Sequence, residues 1–331
     1  MFQYIYVEEA ILNHQTAQKI IQKHSDTKVI TCHHFGELFN RKSQSFRLQK
    51  QKPSLLLAKK CGNLVLPTPE GYGIGGTNNY YFSHMLNCIF DCRYCFLQGM
   101  YRSGNYVVFV NHEDFEEAID DTLNKHSGKE VYFFSGYDCD SLALEPVTHF
   151  VEKILPFFEQ RPNAYLELRT KSINIRFLID RKPIENCVVA FTLSPKEVVE
   201  GLEHRTPRLD RRLKAIDQLQ KKGWKIGLRF DPLIYMDNYQ DVYSEFFNSV
   251  ADIVKKESLH SITMGTFRVP KDLYKNMVKQ YPKEKLFAHS LQERKGLVMY
   301  EEAVEKEMLH FCEELVRQHF QTSKFFPCEV S

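Results

Sequence analysis

The sequence predicts an α/β fold: a partial (β/α)6 TIM-type barrel over residues 76–331, ending in a C-terminal helix, with a small N-terminal α+β extension over residues 1–75. Two observations carry this reading. From residue 106 onward, short β-branched and aromatic runs alternate with amphipathic stretches, mostly of ten or more residues, as in βαβ units of a parallel sheet. The chain has 331 residues, more than one compact domain usually holds unless that domain is an α/β barrel.

The extension reads as a short strand, a helix near 13–24, a strand at 28–31 and a buried strand at 54–58. From 41 to 60 the chain carries Arg41, Lys42, Arg47, Lys50, Lys52, Lys59 and Lys60 with no acidic residue. Such a stretch suits phosphate contacts, and equally a solvated loop and strand. Gly71-Tyr72-Gly73-Ile74-Gly75-Gly76 satisfies a G-x-G-x-x-G pattern, but Thr77-Asn78-Asn79-Tyr80-Tyr81-Phe82 offers no helix whose N-terminus would hold a pyrophosphate. The glycines are expected to make a tight turn instead.

Six strand–helix units follow. Strand 106–110 precedes helix 114–124, with Asn111 as a cap; 131–134 precedes 146–159, and 165–170 precedes 174–180. Strand 187–193 precedes helix 210–222, 224–230 precedes 240–256, and 261–268 precedes 271–280. In a barrel of this kind the carboxyl ends of the strands face the active site.

The chain is organised around residues 88–98. Cys88, Cys92 and Cys95, spaced C-x3-C-x2-C, bring three thiolates to one metal centre, and no fourth cysteine lies nearby. An iron–sulfur cubane held this way leaves one iron open to a small molecule. A closed zinc site with His84 as fourth ligand is a second reading, and three unrelated buried thiols a third. Nine cysteines without tight pairing, and an N-terminus with neither a basic nor an apolar leader segment, predict a reduced, cytoplasmic protein. No run approaches the roughly eighteen apolar residues of a membrane span. A net charge of +2 singles out no partner.

The cysteine triplet, with an aromatic residue just before its last cysteine, resembles the signature of the radical S-adenosylmethionine enzymes. That resemblance implies a [4Fe-4S] cluster on Cys88, Cys92 and Cys95, with S-adenosyl-L-methionine bound to the open iron and cleaved to a 5′-deoxyadenosyl radical. Within that superfamily the chain resembles the spore photoproduct lyase family through residues 55–60, 88–98, 140–149, Thr170-Lys171, Phe191-Thr192, 203–212, 232–235 and 268–285. The implied activity is reversal of a thymine dimer by hydrogen-atom abstraction, with DNA as partner and a flavodoxin- or ferredoxin-type reductant. The resemblance also implies that Lys171 and Thr192 lie near S-adenosylmethionine, Lys171 as a point charge for its carboxylate. Ser135 and Gly136 fall where superfamily members carry a glycine-rich segment around the methionyl amine.

Three departures stand out. The family's lyases use a tyrosine immediately after the third cluster cysteine, where this chain has Phe96, although Tyr94 is retained. Their cysteine hydrogen donor falls at Tyr137, with Cys139 two residues on, about 6.6 Å away on the same face of an extended backbone. Cys139 and Tyr137 are thus both candidate donors. Their aromatic, arginine-rich hairpin corresponds here to a short segment at 292–300, which offers little to offset the few kcal/mol of unstacking that extrusion of a lesion costs. These departures would suit a different substrate, a modified nucleotide or other small molecule. A non-catalytic zinc or iron–sulfur module is the reading of another class.

Other groups carry less. Glu203-His204-Arg205-Thr206-Pro207 reads as a ligand contact or as punctuation before a helix. Cys32, His33 and His34 lack a fourth ligand. Cys312, at helical spacing from Leu309 and Leu315, belongs to a core, and Cys328 is expected to be incidental.

Overall fold

The computed structural model describes residues 2–320 and 324–327. Cys328 lies outside them. The fold is α/β, as the alternation of strands and helices predicts. Its larger sheet has eight strands in the order Phe325–Pro327, Leu259–Thr266, Lys225–Leu233, Cys187–Thr192, Ala164–Thr170, Val131–Ser135, Asn79–Phe82 and Val65–Pro67. Every neighbouring pair is parallel except the last. The central strands are buried on both faces, which is why they read as near-continuous apolar runs rather than alternating ones.

The strand expected to open the barrel, Tyr106–Phe109, is in a different sheet. It pairs in parallel with Leu55–Ala58, which pairs with Ile5–Glu8 and through it with Val29–Cys32. Asn79–Phe82 takes its expected place, parallel to Val131–Ser135. A strand buried at every position, as Tyr106–Phe109 is, satisfies its side chains beside either neighbour, so its composition does not fix its sheet. Hydrogen bonding also crosses the boundary expected at residue 75, since Leu55–Ala58 pairs with Tyr106–Phe109 and Val65–Pro67 with Asn79–Phe82.

The glycine-rich segment takes left-handed backbone at Gly71 (φ 78°) and Gly75 (φ 105°) and then enters a strand that was not expected, Asn79–Phe82. The space of Gly76 is closed by the Tyr132 ring, 2.2 Å from where a Cβ would stand. The helix expected over 146–159 is two, Glu145–Thr148 and Phe150–Glu159, separated by His149 in the left-handed region (φ 49°). Asn111 occupies the cap position of His112–Lys125, but its side chain is spent bridging to the Lys60 backbone (2.9 Å both ways) and to Asp114 (2.8 Å). The C-terminal helix, Glu302–Phe320, packs Met308, Cys312 and Val316 into the main core.

Two buried polar anchors tie helices and strands of the larger sheet. The Trp224 indole donates to the Leu178 carbonyl at 2.9 Å. The Arg229 guanidinium forks onto the Glu167 carboxylate at 3.2 and 2.6 Å, both side chains almost wholly buried. Removing one partner of such a pair leaves an uncompensated charge in the interior. Glu167→Ala is therefore expected to lower unfolding stability by about 3–5 kcal/mol, read as a shift of the urea midpoint, and Glu167→Leu combined with Arg229→Met to regain most of it.

Candidate active site

The three thiols of the cysteine loop share one cavity of about 530 Å³ at the carboxyl ends of the larger sheet's strands. Cys88, Cys92 and Cys95 line it with Tyr94 and Phe96, opposite Gly136, Tyr137, Cys139, Asp140, Lys171 and Thr192. Gly136 to Asp140, Lys171 and Thr192 lie at or just past the carboxyl ends of parallel strands, which is how distant stretches of sequence meet there.

Gly136 follows Val131–Ser135 with φ +86°, and a Cβ there would lie 2.6 Å from Ser141 Oγ and 3.2 Å from the Arg169 carbonyl. The position thus requires glycine. The preceding Ser135 serves the scaffold: its hydroxyl bonds Ser141 Oγ at 2.8 Å and the Glu167 carbonyl at 3.0 Å. Asp140, not singled out by the sequence analysis, fixes this corner. Its Oδ1 accepts from Leu142 N, Ala143 N and Thr170 Oγ1 (3.0, 2.8 and 2.6 Å), and its Oδ2 from Lys171 N at 2.7 Å. A short chain with four acceptor sites suits this task, and the Lys171 backbone is pinned by it. Burial works against the Lys171 ammonium, yet the Cys92 and Glu203 charges beside it hold its pKa above the usual lysine range.

The cysteine loop is gripped from three sides. Glu203–His204 pairs antiparallel with Asp91–Cys92, and Arg93 N donates to the Leu202 carbonyl at 2.8 Å. Behind that ladder the buried Glu203 carboxylate accepts from the Tyr94 hydroxyl, from Ser194 Oγ at 3.0 Å and from Arg212. Arg212, fully buried, also donates to the Thr192 carbonyl at 3.2 Å and to Thr206 Oγ1 at 2.7 Å. Burial disfavours the Glu203 charge, but Arg212 and Lys171 keep its pKa below the usual glutamate range. On the second side, the Tyr281 hydroxyl shares its one proton between Asp91 Oδ1 (3.0 Å) and Gln98 Oε1 (3.1 Å), while Arg93 stacks over its ring at 3.8 Å. On the third, the Lys50 ammonium donates to the Cys88 carbonyl and, at 3.1 Å, to that of Phe90. Burial pulls the pKa of Lys50 down, opposed by Cys88, Asp91, Cys95 and Cys92.

The donor set fits a three-thiolate cluster. Burial pushes the Cys88 thiol up to about 12 and those of Cys92 and Cys95 above their ordinary value, so binding a metal centre as thiolates releases protons. His84, the candidate fourth zinc ligand, stacks on Phe150 (3.7 Å, 6°) with its Nδ1 3.9 Å from Cys139 Sγ. Among the described residues no group of three or more His, Cys, Asp or Glu converges as a single-ion site. His33 instead bonds Glu9 at 2.9 Å, and His34 approaches Glu8 at 4.0 Å.

The candidate donors occupy different settings. Tyr137 lines the cavity in an aromatic wall, stacked on Tyr81 (4.5 Å, 30°) and 5.9 Å from the Phe96 ring. Cys139 also borders the cavity but is buried in the core of the smaller sheet, which raises its pKa well above the ordinary thiol range. Tyr94 commits its hydroxyl to Glu203. Of the basic stretch, Lys50 is buried in the loop clamp and Lys59 pairs with Asp114 at 3.2 Å, whereas Arg41, Lys42 and Lys52 are exposed.

Comparison with known proteins is consistent in one direction. A family model described as spore photoproduct lyase matches residues 1–326. The chain is 22% identical over 291 residues to the spore photoproduct lyase of Bacillus subtilis (strain 168), covering 86% of this chain and 83% of that protein. It is 25% identical over 202 residues to that of Geobacillus sp. (strain Y412MC61), covering 60% and 59%. A solved spore photoproduct lyase double mutant, with bound AdoMet and dinucleoside spore photoproduct, superposes with a TM-score of 0.87 over 100% of this chain and 99% of that one, at 18% identity. At that identity the likeness is one of fold.

The left-handed glycine of the cavity wall gives a direct test. Gly136→Ala is expected to cost about 1–3 kcal/mol of stability from backbone strain, measured by thermal or denaturant unfolding. Adding Ser141→Ala relieves the closest clash and should return part of that loss.

Proposed function

The chain belongs to the spore photoproduct lyase family, whose model spans residues 1–326, and from that premise we infer a radical S-adenosylmethionine enzyme that reverses the spore photoproduct, a thymine dimer in DNA. The observation that carries the reading is the meeting of three thiols with Gly136, Lys171 and Thr192 around one cavity. Cys88, Cys92 and Cys95 would hold a [4Fe-4S] cluster, and Gly136, Lys171 and Thr192 would border S-adenosylmethionine, Lys171 facing its carboxylate. When bound, these groups supply a 5′-deoxyadenosyl radical for hydrogen-atom abstraction.

The protein's own part is positional. Asp140 fixes the Lys171 backbone, and the Glu203–Arg212 pair fixes Tyr94 and so the cysteine loop. We place the hydrogen-atom donor at Tyr137, whose ring lines the cavity, and treat Tyr94 as a positioning residue because its hydroxyl proton is committed to a carboxylate. Cys139 is the alternative donor. The frame we propose for this chemistry is the partial (β/α)6 barrel, with Asn79–Phe82 as its first strand. A flavodoxin- or ferredoxin-type protein is the proposed reductant and the cytoplasm the proposed compartment. Among the described residues no helix is long and apolar enough to cross a membrane.

A second reading keeps the radical chemistry and changes the substrate. It is favoured by Phe96, which has no O–H to exchange, and by the compactness of the Leu291–Arg294 and Leu297–Tyr300 hairpin, whose turn is only Lys295 and Gly296. Anaerobic reconstitution with reductant, S-adenosylmethionine and an oligonucleotide containing the spore photoproduct separates the two. Repaired thymines from the wild type and none from Cys92→Ala are expected; 5′-deoxyadenosine without repair would exclude the lesion as substrate. In the same assay Tyr137→Phe is expected to lower repaired thymine per 5′-deoxyadenosine by roughly tenfold while Cys139→Ala leaves it unchanged, and the converse result would move the donor to Cys139.

A further inference from the structure

Of the seven cations between residues 41 and 60, Lys50 alone is almost wholly buried, with 2% of its surface exposed. It sits in the short helix Phe46–Gln51, which leaves Arg47 and Leu48 exposed, the Arg47 guanidinium lying 5.6 Å over the Tyr281 ring. Its ammonium lies 5.7 Å from the Phe46 ring and 5.6 Å from that of Tyr106, and donates to the carbonyls of Cys88 and Phe90. Arg205 secures the segment from outside by donating to the Lys50 carbonyl at 2.6 Å. No carboxylate among the described residues forms an ion pair with it. A buried ammonium satisfied only by carbonyl dipoles is costly unless a negative charge stands close by.

The anion-forming groups grouped around Lys50 are Cys88, Asp91, Cys95 and Cys92. Three thiolates on a cubane of core charge +2 leave the assembly with one net negative charge when oxidised, and one-electron reduction adds a second. A fixed cation under the loop therefore favours the reduced form over the oxidised one. We propose that Lys50 is a positioning residue that sets the reduction potential of the cluster by placing a positive charge beneath the loop of Cys88, Cys92 and Cys95. This rests on the reading of those cysteines as cluster ligands. Hydrogen bonding to the loop and charge beneath it are separable, because glutamine keeps a donor and methionine keeps only the shape, whereas arginine keeps the charge.

The test is a potentiometric titration of anaerobically reconstituted protein, poised with dithionite and mediators and read by electron paramagnetic resonance of the reduced cluster, alongside iron and sulfide content. Lys50→Met and Lys50→Gln are expected to shift the midpoint to more negative potential, by at least tenfold in the reduced-to-oxidised ratio at fixed potential, about 59 mV for a one-electron couple. Lys50→Arg should stay near the wild type. Failure of both neutral variants to retain a cluster that Lys50→Arg retains would make Lys50 a support of cluster assembly and overturn its assignment to the potential. Neutral variants with full clusters and an unshifted midpoint overturn the proposal, as does loss of the cluster in all three variants. Wild-type protein that takes up no iron and sulfide would instead overturn the assignment of the cluster ligands, a distinct result.

Discussion

The buried carboxylate of Glu203 is the point at which the cysteine loop, the strand ends of the larger sheet and the helix Leu209–Lys222 are joined. It accepts from Tyr94 in the loop, from Ser194 just past a central strand, and from Arg212 on the helix, and Arg212 reaches back to the Thr192 carbonyl. Neither charge is tolerable alone in an interior from which water is excluded, so each side chain holds the other in register. The ladder between Glu203–His204 and Asp91–Cys92 then fixes the loop backbone. The approach of the three thiols to Lys171 and Thr192 follows from that clamp.

Much of the frame was legible in the sequence. Runs such as Cys187–Thr192 and helices such as Leu209–Lys222, which stops at Gly223 with φ +98°, announce themselves by period and by their stop signal. The neighbour of a fully buried strand has no such signal, and Tyr106–Phe109 joined the sheet built by Ile5–Glu8 and Leu55–Ala58. The meeting of the three thiols at one cavity was legible, because their close spacing in a single short loop already brings them together. Its supports were less so. Lys50 looks like six other cations in its stretch until the short helix turns it inward, and Glu203 and Arg212, nine positions apart, show no pairing until a bend brings them together. The best available cue is the segment 203–207, which reads as a ligand contact or as punctuation before a helix and not as the support of the cysteine loop.

An aromatic ring without a hydroxyl, Phe96, follows the last loop cysteine, while a phenol, Tyr137, stands across from it within 5.9 Å between ring centres. Tyr81 stacks on Tyr137 at 4.5 Å and Tyr72 meets it edge-on at 6.3 Å, so an aromatic cluster holds the Tyr137 ring at the cavity.

The central claim is that this cavity holds a three-thiolate cluster with one iron left open to S-adenosylmethionine. It is tested most directly by electron paramagnetic resonance of the reduced, reconstituted protein before and after addition of S-adenosylmethionine, with iron and acid-labile sulfide counted per chain. The account expects about four irons and four sulfides and a spectrum that changes when S-adenosylmethionine binds. A full cluster whose spectrum is indifferent to S-adenosylmethionine, or a stoichiometric zinc in its place, would contradict it.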